Sequence, residues 1–306
     1  MTDRNAVVWY PFDKLIVGYS LLMVVLLLVL GTPLRVYLDE MIFYLGAATL
    51  SVVVVRYLDE RRGGLVRLLR LLYPVLLFTF FYRATGGTMF LLFSRFFDPE
   101  LTALEESIFG AHPTLFIDSH WLHPAISEIV LLAYFLYYFM IIGWVLSLYI
   151  RGDLDIVKSS LTAFCAIFFA SYMLFWLFPL EGPRWFFVDR YLHDVTSPVA
   201  RQLAQFVIDK AAVRGGCMPS SHFAIAVSIQ MYAFRYYRRI GWVLLPIVLG
   251  MGVGTFWGRY HYVSDTIVGG IIGIVFTLIV WRFYSPESKR QSSAGRVETL
   301  VENHVS

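Results

Sequence analysis

Along the 306-residue chain, long apolar runs are separated by short polar segments. A helix rises about 1.5 Å per residue, so roughly 20 mostly apolar residues cross the hydrocarbon of a bilayer. Eight runs approach that length: 14–30, 41–58, 67–82 with an extension toward 93, 124–150, 159–179, 220–237, 241–257 and 263–284. The fold class this pattern predicts is all-α, a polytopic bundle of about eight membrane helices. About ten mixed residues precede the first run without a small-x-small cleavage site, so that run reads as a retained span. The polar segments are too short to form a separate soluble domain. The tail 285–306, SPESKRQSSAGRVETLVENHVS, reads as disordered.

Composition agrees with that class. Hydrophobic residues make up 58% of the chain and charged residues 15%, where a soluble domain carries about a quarter charged. The two cysteines, Cys165 and Cys217, are too few for a disulfide framework or a zinc site. The net charge of +3 is small, and no nucleic-acid partner is expected. Its distribution is more informative. Eight spans leave both termini on one side, and that side collects sixteen of the 25 lysines and arginines, the other nine. By the positive-inside rule the richer side, with both termini, is cytoplasmic.

Three polar motifs share the opposite side, which faces a periplasm, the cell exterior or an organelle lumen. FPLEGPRWFF (178–187) follows the fifth run, GGCMPSSH (215–222) leads into the sixth, and GRYHYVSD (258–265) leads into the eighth. Ionisable residues at membrane depth are costly and are functional candidates for that reason. His261 and Asp265 stand four apart, so a helix puts them on one face. A carboxylate there can take the proton of one imidazole nitrogen and leave the other as a nucleophile. His222 heads a span, where helix-terminal amides favour an anion. Ser220, Ser221 and Gly216 add hydroxyl and amide donors with little bulk, and Arg184 and Arg259 supply planar cationic forks that fit phosphate. Together these groups describe phosphoryl transfer through a histidine.

The same residues resemble the type 2 phosphatidic acid phosphatase superfamily of membrane lipid phosphatases and phosphotransferases, over roughly residues 124–284. Its second motif, Pro-Ser-Gly-His, is similar to Pro219-Ser220-Ser221-His222, and the His-x-x-x-Asp of its third is matched by His261 and Asp265. The resemblance implies a six-helix-type phosphatase core with extra N-terminal spans. It also implies His261 as the residue that becomes phosphohistidine, Asp265 as its orienting group, and His222 as the acid and then base. No metal and no cofactor are implied. The first motif lacks the family's lysine, whose position is Leu177, and the third has Thr255 where the family carries an arginine. Gly-Pro-Arg and Arg-Tyr-His-Tyr look more like the branch containing inositol phosphorylceramide synthases.

The expected organisation is therefore N-terminal spans over 1–98, an interfacial segment over 99–123, a catalytic membrane core over 124–284 and a cytoplasmic tail. The expected substrate is a phospholipid, sphingolipid or polyprenyl phosphate, entering sideways from the bilayer. Water as acceptor makes the chain a phosphatase; a lipid or sugar hydroxyl makes it a headgroup transferase. A lipid-binding or channel-like protein without turnover is the non-enzymatic alternative. Plainer roles exist for several of these residues: Ser220 and Ser221 suit helix caps, and Arg184 beside Trp185 suits an interfacial anchor. His112, Asp118, His120 and His123 have no strong metal-ligand spacing, and their segment reads as an interfacial lid. Arg83 either breaks the third run or faces a polar cavity.

Overall fold

A computed structural model describes residues 7–287. Twelve α-helices are found among them: α1 Pro11–Leu30, α2 Leu38–Tyr57, α3 Gly64–Thr88, α4 Asp98–Phe109, α5 Pro113–His120, α6 Pro124–Arg151, α7 Leu154–Leu177, α8 Pro183–Phe186, α9 Ala200–Ala211, α10 Ser221–Tyr236, α11 Arg238–Trp257 and α12 Val263–Tyr284. No strand occurs among the described residues, and the chain is a multi-pass integral membrane protein. Most of the expected tail, from residue 288 on, lies outside the described residues.

Each of the eight apolar runs became one helix, with ends displaced by only a few residues. Seven of these helices are long and apolar enough to cross a membrane. The eighth, α10, has 16 residues, about 24 Å at helical rise. It is the short helix because both its ends are turned in by chemistry. Ser220 caps the start, its Oγ accepting from the Phe223 amide, and the chain reverses at Tyr237 directly into α11.

The local signals at the other ends are similarly legible. Proline occupies the first position of α1 and α6, where its missing N–H costs nothing. Asp13 and Asp265 each sit at the third position of their helix and accept the amide just before it, from Tyr10 and Tyr262. Gly152 ends α6 in the left-handed conformation.

The helix α7 lies at the centre, packed by α1, α3, α10 and α12. Nearly every residue from Val157 to Trp176 is buried or half-buried, as a helix apolar all round should be. α10 packs on α7, α11 and α12. Its approach to α12 depends on two glycines: a Cβ at Gly269 would overlap the Ser220 carbonyl, and one at Gly273 the Ala224 carbonyl. Small residues let the two backbones close up, which holds the start of α10 against the start of α12. The second and third polar motifs, which stand in those two places, are thereby brought together.

Candidate active site

The C-terminal end of α7, the N-terminal ends of α6, α10 and α12, and the C-terminal ends of α3 and α11 all meet at one end of the bundle. There the loop 178–183 crosses the loop 215–220. The Leu180 amide donates to the Gly215 carbonyl at 3.1 Å, and Gly182 takes a φ of 97° that favours glycine. The first and second motifs are thus stitched backbone to backbone.

His261 is buried between them. Its Nδ1 lies 2.8 Å from the carbonyl oxygen of Cys217 and 3.5 Å from Asp265 Oδ2. A carbonyl only accepts, so Nδ1 carries the proton and Nε2 keeps its lone pair. The closer partner is therefore a backbone carbonyl of the second motif, with the aspartate behind it. Asp265 Oδ2 accepts from the Tyr262 amide and from the Cys217 thiol, both at 2.8 Å. Burial, and then the Asp265 charge, push the Cys217 thiol up, so sulfur stays protonated and donates. Ligand atoms of Cys217, His261 and Asp265 lie within 4.8 Å of one another. A cation bound there would have to displace the thiol and imidazole protons from the acceptors they now serve.

The His222 ring lies 6.3 Å, centroid to centroid, from His261. Tyr82, Tyr134, Tyr137 and Tyr138 surround it, Tyr137 nearest at 4.9 Å. Its Nδ1 is buried with no hydrogen-bond partner among the described residues, an uncommon state for a buried polar atom. Both histidines line a cavity of about 550 Å³. Its polar end carries Glu181, Arg184, Gly216, Cys217 and Ser221; its other end is apolar, with Val75, Phe78, Ile141 and Phe168.

Of the residues expected from the sequence, His261, His222, Arg184, Ser221 and Gly216 line this cavity. Asp265 stands behind His261, wholly buried. Ser220 caps α10 and does not reach the cavity. Arg259 departs from expectation. It is a non-glycine residue at φ 65°, in a turn where the amides of Tyr260 and His261 both bond the Thr255 carbonyl. That turn directs its guanidinium to Asp118, at 2.7 Å, and to the His193 carbonyl, stacked on Tyr191. It faces a separate pocket of about 270 Å³ with Arg201, His193 and Asp194, where Arg184 is the residue shared with the main cavity. Arg184 itself is held 3.1 Å from Asp209 on α9.

The histidine-rich segment does not converge on a ligand site. Asp118 holds Arg259 and the amides of Leu192 and His193, His120 stacks on Phe116, and His123 caps α6. Arg83 is exposed on α3 and does not line the cavity.

Sequence reasoning missed the group that braces the site. Asp98, wholly buried at the start of α4, accepts from the amides of Glu181 and Gly182 at 2.7 and 2.8 Å and from Tyr262 Oη at 2.7 Å. It clamps the first motif to the third. Burial raises its carboxyl, and the hydrogen bonds from Tyr262 and the Gly182 amide act against that rise. Glu105, about two turns further along the same face of α4, likewise takes the Ser264 amide and hydroxyl. No local sequence signal marked either acid, because their partners lie far away along the chain.

A family model described as the PAP2 superfamily matches residues 99–279, more than half of the chain. The chain belongs to the PAP2 superfamily. Bacitracin transport permease protein BcrC of Bacillus licheniformis is 26% identical over 93 residues, 30% of this chain and 43% of that protein. The alignment thus spans less than half of the curated relative's length. No solved structure matches the chain. Within this PAP2 protein the two departures from the family pattern have structural uses. Leu177 closes α7 as an exposed apolar residue. Thr255 is buried, its Oγ1 2.6 Å from that of Thr266 on α12, so this position ties α11 to α12.

Proposed function

We propose that this PAP2 protein is a lipid phosphate phosphatase or phosphotransferase working through a phosphohistidine at His261. The observation that carries the reading is the imidazole whose Nδ1 is engaged by the Cys217 carbonyl. Its Nε2 is left for a cavity that joins a cationic end to an apolar one. Small-molecule sites combine few polar groups with a mainly apolar lining, and an amphiphilic phosphoester has that same division.

In the first step Nε2 of His261 attacks phosphorus, and the bond from phosphorus to the ester oxygen breaks. That oxygen takes a proton from His222. In the second step His222 receives the proton of an incoming water or hydroxyl as its oxygen attacks phosphorus. The N–P bond breaks, and its electron pair returns to Nε2. Arg184, the Ser221 hydroxyl and the amides at the start of α10 offset the charge on the phosphoryl oxygens. Asp209 pairs with Arg184 in the free protein and has to give way to the phosphate.

The excess of lysine and arginine on the other side supports a site at the non-cytoplasmic face, with both termini in the cytoplasm. The test is phosphate release or headgroup transfer from a panel of phospholipids, sphingolipids and polyprenyl phosphates in detergent, with a chelator present. The expected result is turnover of at least one lipid by the wild type and none by His261→Ala. Absence of turnover from every lipid, or wild-type activity in His261→Ala, overturns the reading. Mass spectrometry of the products separates hydrolysis from transfer in the same reaction.

A further inference from the structure

The apolar end of the cavity has an outlet. Leu76, Thr79 and Phe80 of α3 and Ile142 of α6 line the cavity, yet all four are exposed on the outer surface of the bundle, Leu76 at 65%, Phe80 at 57% and Ile142 at 46%. Positions 76, 79 and 80 share one helix face. A side chain that is both cavity lining and outer surface stands at an opening, and here it is flanked by two membrane helices. α3 packs mainly on α7 and only lightly on α6. The seam between α3 and α6 is therefore the weakly closed side of the cavity.

Its depth fits hydrocarbon. Residues 75–80 lie in the middle of the 25-residue α3, well away from either helix end and from water. From Tyr82, beside His222, to Val75 is seven residues, about 10 Å along the helix. The cavity thus runs from the histidines at the membrane surface toward the bilayer centre and emerges there sideways.

Resting on the function proposed above, we infer that the substrate's hydrocarbon chain occupies this limb and leaves through the α3–α6 seam, with Leu76, Thr79 and Ile142 framing the portal. α3 precedes the residues matched by the family model. The chain seat is thus built partly by a helix outside the matched region, and a boundary at residue 98 cuts through the wall of the cavity. Lipid preference is set at this seam, while the chemistry is set by His261 and His222 beyond it.

Two readouts test the portal. Leu76→Trp and Thr79→Trp narrow the seam; Leu69→Trp, on the exposed surface of the same helix but outside the cavity, is the control. The ratio of kcat/KM for a long-chain phosphatidate to that for phenyl phosphate is expected to fall about tenfold in the seam variants and to stay at the wild-type value in the control. Separately, a phosphatidate with a photoreactive group at mid-chain, bound to His261→Ala, is expected to label 75–80 or 138–142, and Leu76→Trp to remove that labelling. An unchanged ratio in both seam variants, or labelling confined to other helices, overturns the portal. Seam labelling without turnover of any lipid by the wild type instead overturns the enzymatic reading and leaves the chain seat standing.

Discussion

At the end of the bundle away from the histidines, Asp13 is paired with Arg70 and bonded by Tyr73, and Glu60 is paired with Lys158 and bonded by Tyr10. At the histidine end, His222 Nδ1 and Asp265 Oδ1 are buried without a hydrogen-bond partner among the described residues. Both regions hold charged and hydroxyl groups at span ends, and composition does not separate them. In the first, each charge has an opposite charge beside it and the aromatic rings of Tyr10, Phe12 and Tyr73 surround the Arg70 guanidinium. In the second, proton-carrying groups face a cavity and part of their bonding capacity is unspent. The charge-paired cluster ties α1, α3 and α7 together, although Glu60 Oε2 is left without a hydrogen bond among the described residues. At the histidine end the unpartnered imidazole nitrogen faces a cavity, where it is available for chemistry.

Substitutions should divide along that line. His261→Ala is expected to remove turnover by about a thousandfold or more while the protein still purifies as a folded species. Arg70→Ala is expected to do the opposite. Leaving buried Asp13 unpaired costs about 3–5 kcal/mol, so the yield of folded protein and its thermal midpoint in detergent should drop. The fraction that folds should keep the wild-type kcat. Loss of kcat with full stability in Arg70→Ala would erase the distinction.

A subtler split is expected at His222. His222→Ala should lower turnover about a hundredfold or more on an alkyl phosphate, and less on a phenyl ester with electron-withdrawing substituents, whose leaving oxygen needs no proton. Equal losses on both substrates would take the acid role away from His222. Smaller again is the effect at the clamp. Tyr262→Phe removes one hydrogen bond to Asp98, a loss of about 1 kcal/mol, and should raise KM and lower kcat by a few-fold. Asp98→Asn, which replaces one of the two accepting oxygens by an NH2 that faces a backbone amide, should cost more than Tyr262→Phe. The reverse order contradicts the clamp. Asp209→Asn, which releases Arg184, should change KM downward and leave the midpoint of unfolding in place.

The spans were legible because burial in lipid acts on every residue of a helix, and the period and length of apolar runs record it. His222, His261, Ser221 and Asp265 were legible because their relations are local, within a motif or one helical turn. Arg184 was found from its motif, although its partner Asp209, 25 residues on, was not. Arg259 was misplaced because its direction depends on one left-handed residue in a turn, which spacing along the chain does not reveal. Asp98 was invisible for a different reason. Its partners Glu181 and Tyr262 lie far away in sequence, and only the crossing of three loops makes them neighbours. The portal depends on how lightly α3 packs on α6, and apolar helices of similar composition carry no mark of that.

A covalent bond between His261 Nε2 and phosphorus can be trapped directly. The direct measurement is trapping without acid: brief incubation with a lipid carrying radiolabelled phosphate, an alkaline quench that preserves phosphohistidine, and peptide mapping of the labelled protein at alkaline pH. The expected label is on the peptide containing His261, absent from His261→Ala. Label that persists in His261→Ala, or that maps to His222 or any other residue, contradicts the account.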